Sequence, residues 1–378
     1  MKMRLLIFMV LMCFTLSGFV CQRSLLKPDM FNSSGAVWQW TGDTQHTGYS
    51  SSLISPPFRL AWKHRTKSAL GRAVVAFDSY LFYGTQNGLI QSLHAITGKR
   101  AGSFKTSGHN EVTCLAFRGF LIVADRSGSS TLKLVDLADE KVVWSKNLGF
   151  VDGEPLLTDS CIVVSDHHGR IYMFEDSTGE LVWSRNIGGR MYSSPARVPG
   201  VVCAASENGI VMAVDDESGE ILWKKELEGS IQDSPVIGDS LIYIGTREGR
   251  FYALSLSTGQ IRWDIDVGGG VYETAAYHGS TVYMGSNRGL FRALNGLNGQ
   301  ELWRFNASGA VGTSPLITGK YVFFGTLNRL FYVLNRRTGE EVWRYETKGR
   351  ISTSPMIWNG TLVFACDEKI IYGFREKR

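Results

Sequence analysis

The sequence predicts an all-β protein: eight four-stranded blades closed into a β-propeller, with the ring completed by a strand from the N-terminal side. Three observations carry that expectation. Tryptophan returns every forty residues at Trp183, Trp223, Trp263, Trp303 and Trp343, with Trp144 one residue short of the same register. The turns between the apolar runs repeat with the same period. The last repeat stops one strand early, and a matching unattached strand stands near the start. A period of about 40 residues built from short apolar runs belongs to a unit that cannot bury its own face and must stack on its neighbours.

The unit is plainest from Ser234 to Trp263, SPVIGDSLIYIGTREGRFYALSLSTGQIRW. Three apolar runs are separated by Gly238-Asp239 and Glu248-Gly249, and Ser257-Thr258-Gly259-Gln260 leads into a fourth run that ends at Trp263. Four strands per unit follow. Ser194-Pro195, Ser234-Pro235, Ser314-Pro315 and Ser354-Pro355 open units, and a Gly recurs four residues before each Trp from Trp183 to Trp343.

Two early units are degenerate. The turn before Trp144 reads Asp139-Glu140, and the unit before it ends in Gly102-Ser103-Phe104 without a Trp. After Trp343 only three runs remain, whereas Phe58-Arg59-Leu60-Ala61-Trp62 reads as a fourth run lacking its first three. Residues 58–62 are therefore expected to complete the last blade, leaving no free sheet edge at the seam. The repeated indoles, Trp62 among them, read as structural docking groups. Each buries about 150–250 Å², on the order of 4–6 kcal/mol of gross burial before entropy is subtracted.

The string YALSLSTGQIRW, with RALNGLNGQELW and YVLNRRTGEEVW, resembles the tryptophan-docking, PQQ-like repeat of quinoprotein-like eight-bladed propellers. Trp38-Gln39-Trp40-Thr41-Gly42-Asp43 and Thr47-Gly48-Tyr49-Ser50 look like the stretch that precedes the first blade in that superfamily. The likeness covers residues 36 to 378 and is closest to the BamB-type lipoproteins of outer-membrane β-barrel assembly. It implies the fold and leaves the role open among quinone dehydrogenases, scaffolds and sensors, all of which the fold hosts.

Lys2 and Arg4 precede the apolar stretch Leu5 to Val20, which reads as an export signal. Residues 1–21 are thus the leader, 22–57 a tether and leading segment, and 58–378 the propeller. Cys21 is a candidate for lipid modification. Val20 before it departs from the small residue that lipoprotein processing prefers, so acylation, cleavage to a soluble form and an uncleaved anchor all stay open. An exported, periplasmic protein is expected, with an anchor at the outer membrane if Cys21 is acylated. Cys114, Cys161, Cys203 and Cys366 fall in four different blades and read as small core side chains, not disulfide partners.

The composition, 44% hydrophobic and 12% aromatic with 42 Gly, suits an exported β-protein. Catalytic signals are weak. The resemblance implies that a quinone enzyme would carry acidic and amide ligands for quinone and calcium, often an adjacent-cysteine disulfide, and long insertions. The blades from Trp144 to Trp343 repeat at 39 or 40 residues, with no insertion. Glu111, Asp152, Glu154, Asp233 and Glu273 fall near innermost strands and read as solvated channel-mouth residues. His167-His168 reads as a hairpin turn, not a metal site. No catalytic residue, cofactor, metal or nucleic-acid partner is expected.

Charge is unevenly spread. Residues 101–240 hold 12 Lys or Arg against 21 Asp or Glu, residues 241–378 hold 17 against 11, and residues 59–100 hold 7 against 1. An acidic sector (blades 2 to 4) should therefore face a basic one, which speaks to association and not to fold. The residues after the Gly entering each innermost strand include Arg72, His109, Arg190 and Arg350, expected to ring one channel mouth and to accept an acidic loop or anion. The functional expectation is a monomeric, non-catalytic scaffold with protein partners, BamB-like in outer-membrane protein assembly. The alternatives are a quinone-dependent oxidoreductase or quinone binder, and a periplasmic ligand sensor.

Overall fold

The computed structural model describes residues 37–38, 41–106, 112–126, 128 and 131–377. Eight sheets form the ring, and the described residues contain no helix. Each regular blade is a four-stranded antiparallel meander. Blade 5, for example, runs through Val236–Gly238, Leu241–Gly245, Arg250–Ser255 and Ile261–Asp266, from the channel to the rim. Apolar residues fill the two middle strands on both faces, because each of those faces packs on a neighbouring blade: Leu241–Gly245 is buried throughout. The outermost strand, Ile261–Asp266, turns most of its side chains toward water and buries Trp263.

The ring closes as expected from the split repeat. Ile351–Trp358, Thr361–Cys366 and Ile370–Glu376 supply three strands of blade 8, and Phe58–Arg65 is its rim strand. Phe58 lies opposite Glu376 and Arg65 opposite Ile370. The strand runs three residues beyond the expected 58–62.

Each regular blade is fastened to the next by an indole. Trp183, Trp223, Trp263 and Trp303 donate Nε1–H to the carbonyls of Asp216, Leu256, Gly296 and Arg336 at 3.0, 2.7, 2.7 and 3.0 Å. Trp144 does the same to Asp176 (2.8 Å), and Trp62 to Ala95 across the seam (3.1 Å). The ring face lies on a glycine of the next blade's turn. A Cβ on Gly259 would stand 2.5 Å from the Trp223 ring, and its φ of +69° is the left-handed conformation glycine adopts without strain. Trp343 meets a different neighbour, the rim strand from the N-terminal side, and packs edge-on against Phe58 and Phe374 with ring centroids 5.3 and 5.4 Å apart. Cys114, Cys203 and Cys366 are buried and Cys161 half-buried, each in its own blade.

Candidate functional site

The innermost strands leave one backbone edge facing the central channel, and the chain's own leading segment covers that edge at one end. The amides of Arg197, Ile237, Tyr277 and Ile317, one from each of blades 4 to 7, donate to the carbonyls of Thr44, Gln45, Thr47 and Gly48 at 2.6 to 2.9 Å. Val37–Trp38 pairs with Ala76 and Phe77 of blade 1, so the segment crosses that end of the channel. Its turn is built locally. Asp43 accepts hydrogen bonds from the amides of Gln45 and Thr47 and from the Thr47 hydroxyl, and burial raises its carboxyl above the usual range. The fully buried His46 sits with Nδ1 3.1 Å from the Pro235 carbonyl, and desolvation lowers its pKa to about 4. Tyr49 stacks on His278 at 3.9 Å. Gly48 has no room for a side chain: a Cβ would come within 2.7 Å of the Pro315 carbonyl.

Toward the other end lies a cavity of about 550 Å³. Tyr192, Gln232 and Tyr272, each four residues before an innermost strand, and Ser352, within one, supply equivalent wall positions, with Arg126, Glu154, Asp233 and Glu273 adding charge. The residues of the Ser-Pro openers bind the inner wall together. The amides of Ser194 and Ser314 donate to the hydroxyls of Ser234 and Ser354, forty residues on, at 2.9 and 3.2 Å. Glu154 occupies the same slot in blade 3 and donates its amide to the Ser194 hydroxyl (2.8 Å).

Three acidic residues of the channel are buried, contrary to the sequence-based expectation of solvated side chains, and Glu273 is half-buried. Asp152, Glu154 and Asp233 are 8, 5 and 3% exposed, because the innermost strands converge and neighbouring blades close over them. Asp152 lies 2.6 Å from the Arg126 guanidinium and 2.5 Å from His167 Nδ1. Asp233 accepts the Gly245 amide at 3.0 Å, and burial raises its carboxyl pKa well above the ordinary value. His167 and His168 form the hairpin turn, ringed by Phe150 and Tyr192.

The expected mouth positions are equivalent in six blades. The carbonyls of Phe150, Arg190, Ser230, Gly270, Ala310 and Arg350 each accept an amide from the hairpin of their own blade, at 2.7 to 2.9 Å. In blade 1 that bond goes to Ala69, so Arg72 falls within the strand Leu70–Phe77 and not in this ring. The cause is a register irregularity between Leu70 and Val74, which alignment on Gly71 does not detect. Arg190 is exposed, and Arg350 is held 2.7 Å from Asp367. His109, Glu111 and Cys21 lie outside the described residues. The crossing of the channel by this segment is not foreseen from the sequence, since its bonds are made by backbone groups that carry no side-chain signature.

Eight tryptophan-docked, four-stranded sheets closed into a ring place the chain in the quinoprotein-like class of propellers. The chain belongs to the family described as outer membrane protein assembly factor BamB, whose model matches residues 53–265 and 264–377. Among solved structures, BamB from Moraxella catarrhalis is similar at TM-score 0.72 and 17% identity, covering 84% of this chain and 100% of that one. A quinohemoprotein alcohol dehydrogenase from Comamonas testosteroni is similar at TM-score 0.75 and 13% identity, over 93% of this chain and 83% of that one. A europium-containing methanol dehydrogenase gives 0.74 and 13%, over 91% of each chain. No curated protein sequence matches the chain. At these identities the structural likeness establishes the fold alone.

The dehydrogenase likeness raises a quinone as a ligand of the cavity, and the residues present do not fit it. The quinone of such enzymes is a polycarboxylate, and this wall offers it Glu154 and Glu273 against Arg126, which already bonds Asp152. Among the described residues no group of three or more His, Cys, Asp or Glu is arranged to hold a metal that would offset that repulsion.

Proposed function

We propose that this protein is an exported, non-catalytic scaffold that binds protein partners during outer-membrane β-barrel assembly. The observation that carries this reading is the family match, which spans the whole ring. The crossed channel and the acid-lined cavity agree with it, because they leave the outer faces of the disc as the surfaces open to large partners. Propellers of this shape bind protein segments by seating a loop or adding a strand.

At the channel mouth, exposed Arg190 is the anchor for an acidic partner loop. Arg350 contributes less, since Asp367 already engages it. The apolar leader supports export, and Cys21 is the residue that acylation would modify.

Affinity capture from membranes tests the reading, with mass spectrometry of the prey and of the mature N-terminus. Barrel-assembly components should co-purify, and Arg190→Ala should reduce their recovery. Their absence from repeated captures, or uptake of quinone and its absorbance by the purified protein with calcium, would replace the scaffold with a different role.

A further inference from the structure

The rim of blades 2 to 4 differs from the rest of the ring in two properties at once. In the turns between the third and fourth strands, residues 136–141, 175–180 and 215–220 hold ten acidic side chains against one lysine. The same stretches of blades 5 and 6, residues 255–260 and 295–300, hold no Asp, Glu, Lys or Arg. Directly after each acidic turn, two consecutive aliphatic side chains face water: Val142 and Val143, Leu181 and Val182, Ile221 and Leu222, all 44 to 54% exposed. Two neighbours can both point outward because the strand bulges at this point in each blade. In blades 5, 6 and 7 the pair is interrupted by Arg262, Glu301 or Glu341.

Indole docking joins these features into one surface. Trp144 bonds the Asp176 carbonyl and Trp183 the Asp216 carbonyl, so the aliphatic pair of one blade adjoins the acidic turn of the next. Arg118, Lys141 and Arg197 each engage one of the ten acids. Glu180, Glu217 and Glu220 remain exposed along the edge of the aliphatic belt.

An acidic face alone is ordinary solvated surface, and a single exposed aliphatic residue needs no explanation. An arc of six aliphatic side chains bordered by carboxylates is the pattern of an interaction site. We infer that the rim of blades 2 to 4 docks a lysine- or arginine-rich amphipathic segment of a partner protein. The carboxylates attract and orient that segment, and its apolar face covers the aliphatic belt. An anionic membrane is repelled by the same charges. The inference rests on the scaffold reading and gives that scaffold a surface and a partner chemistry.

The test is fluorescence anisotropy of the full chain with a labelled amphipathic leucine–lysine peptide, beside a serine–lysine peptide of equal charge. The leucine–lysine peptide should bind, and weaken as salt is raised. Binding should fall about tenfold or more in Glu180→Lys/Glu217→Lys/Glu220→Lys, and likewise in Leu181→Thr/Val182→Thr/Ile221→Thr/Leu222→Thr. Threonine keeps strand propensity, so unchanged circular dichroism separates lost docking from lost folding. Gln260→Lys/Ile261→Thr in blade 5 should leave binding unchanged.

Equal binding of both peptides, indifference to the rim variants, or an equal loss in the blade 5 control would overturn the inference. So would self-association that the aliphatic variants abolish, which assigns the rim to a second copy, or aliphatic-dependent binding to phosphatidylglycerol vesicles. Failure here with assembly components still captured removes this surface and leaves the scaffold. Loss of capture with peptide binding intact does the reverse.

Discussion

The junctions along blades 3 to 7 and the junction between blades 1 and 2 use the same backbone with opposite side-chain choices. At the regular junctions an indole lies on a glycine. Between blades 1 and 2, Gly102 stands where the tryptophan would be, and Glu140 holds the turn position at φ +55°. The two substitutions are complementary. A side chain is tolerated in the turn where no ring comes down on it, so the glycine answers mainly to the indole and only secondarily to its φ. Half-buried Phe104 partly replaces the missing ring, packing on the cluster shared by Val75, Phe77 and Cys114 of the two blades.

The largest effect should come from removing an indole. Trp223→Ala should cost about 3–5 kcal/mol in urea unfolding, whereas Phe104→Ala should cost about 1–2 kcal/mol. Equal losses would mean that the irregular junction is as strong as the others.

A second contrast follows from the crossing segment, whose described amide partners lie in blades 4 to 7. Folded His46 stays neutral down to about pH 4, while the unfolded chain takes up its proton near 6.5. Its contribution is therefore intact above pH 6.5, declines as pH falls to about 4 and declines no further below that. The total is on the order of 3 kcal/mol. Asp43, with its pKa raised, opposes part of this loss as its carboxyl takes up a proton. Hydrogen exchange should show the amides of Ile237, Tyr277 and Ile317 losing protection across that interval, more than the strand amides of blade 2. His46→Gln should flatten the dependence.

Smaller effects bear directly on the glycine. Gly259→Ala should destabilise by about 1–3 kcal/mol, since the new Cβ meets the Trp223 ring in an unfavourable backbone conformation. Glu140→Ala should stay within about 0.5 kcal/mol. Glu140→Gly should gain roughly 0.5 kcal/mol, because relief of left-handed strain slightly exceeds the added chain entropy. A gain as large as the Gly259→Ala loss would show that φ, not the indole, governs the turn.

Most of the architecture was legible because turn chemistry and tryptophan spacing are local and repeat. The split blade could be read from Phe58 to Trp62 for the same reason. The link between Gly102 and Glu140 was visible only as two separate irregularities, since spacing alone does not place an indole on the next blade's turn. Arg72 was misplaced by alignment on a glycine that precedes an irregular strand. The channel acids could be located from sequence, yet their burial depends on how closely eight strands converge. The crossing segment was illegible as a plug because amides and carbonyls do the binding.

The seam between Phe58–Arg65 and Ile370–Glu376 also dictates an order of events. A newborn polypeptide emerges with its rim strand first and must make nearly everything else before that strand can find its mate. Until then the eighth sheet lacks a member and the wheel stays an open arc, with a bare edge that stray chains can join. Chaperoning during this wait, more than the strength of the finished circle, would then limit how much protein reaches its working shape.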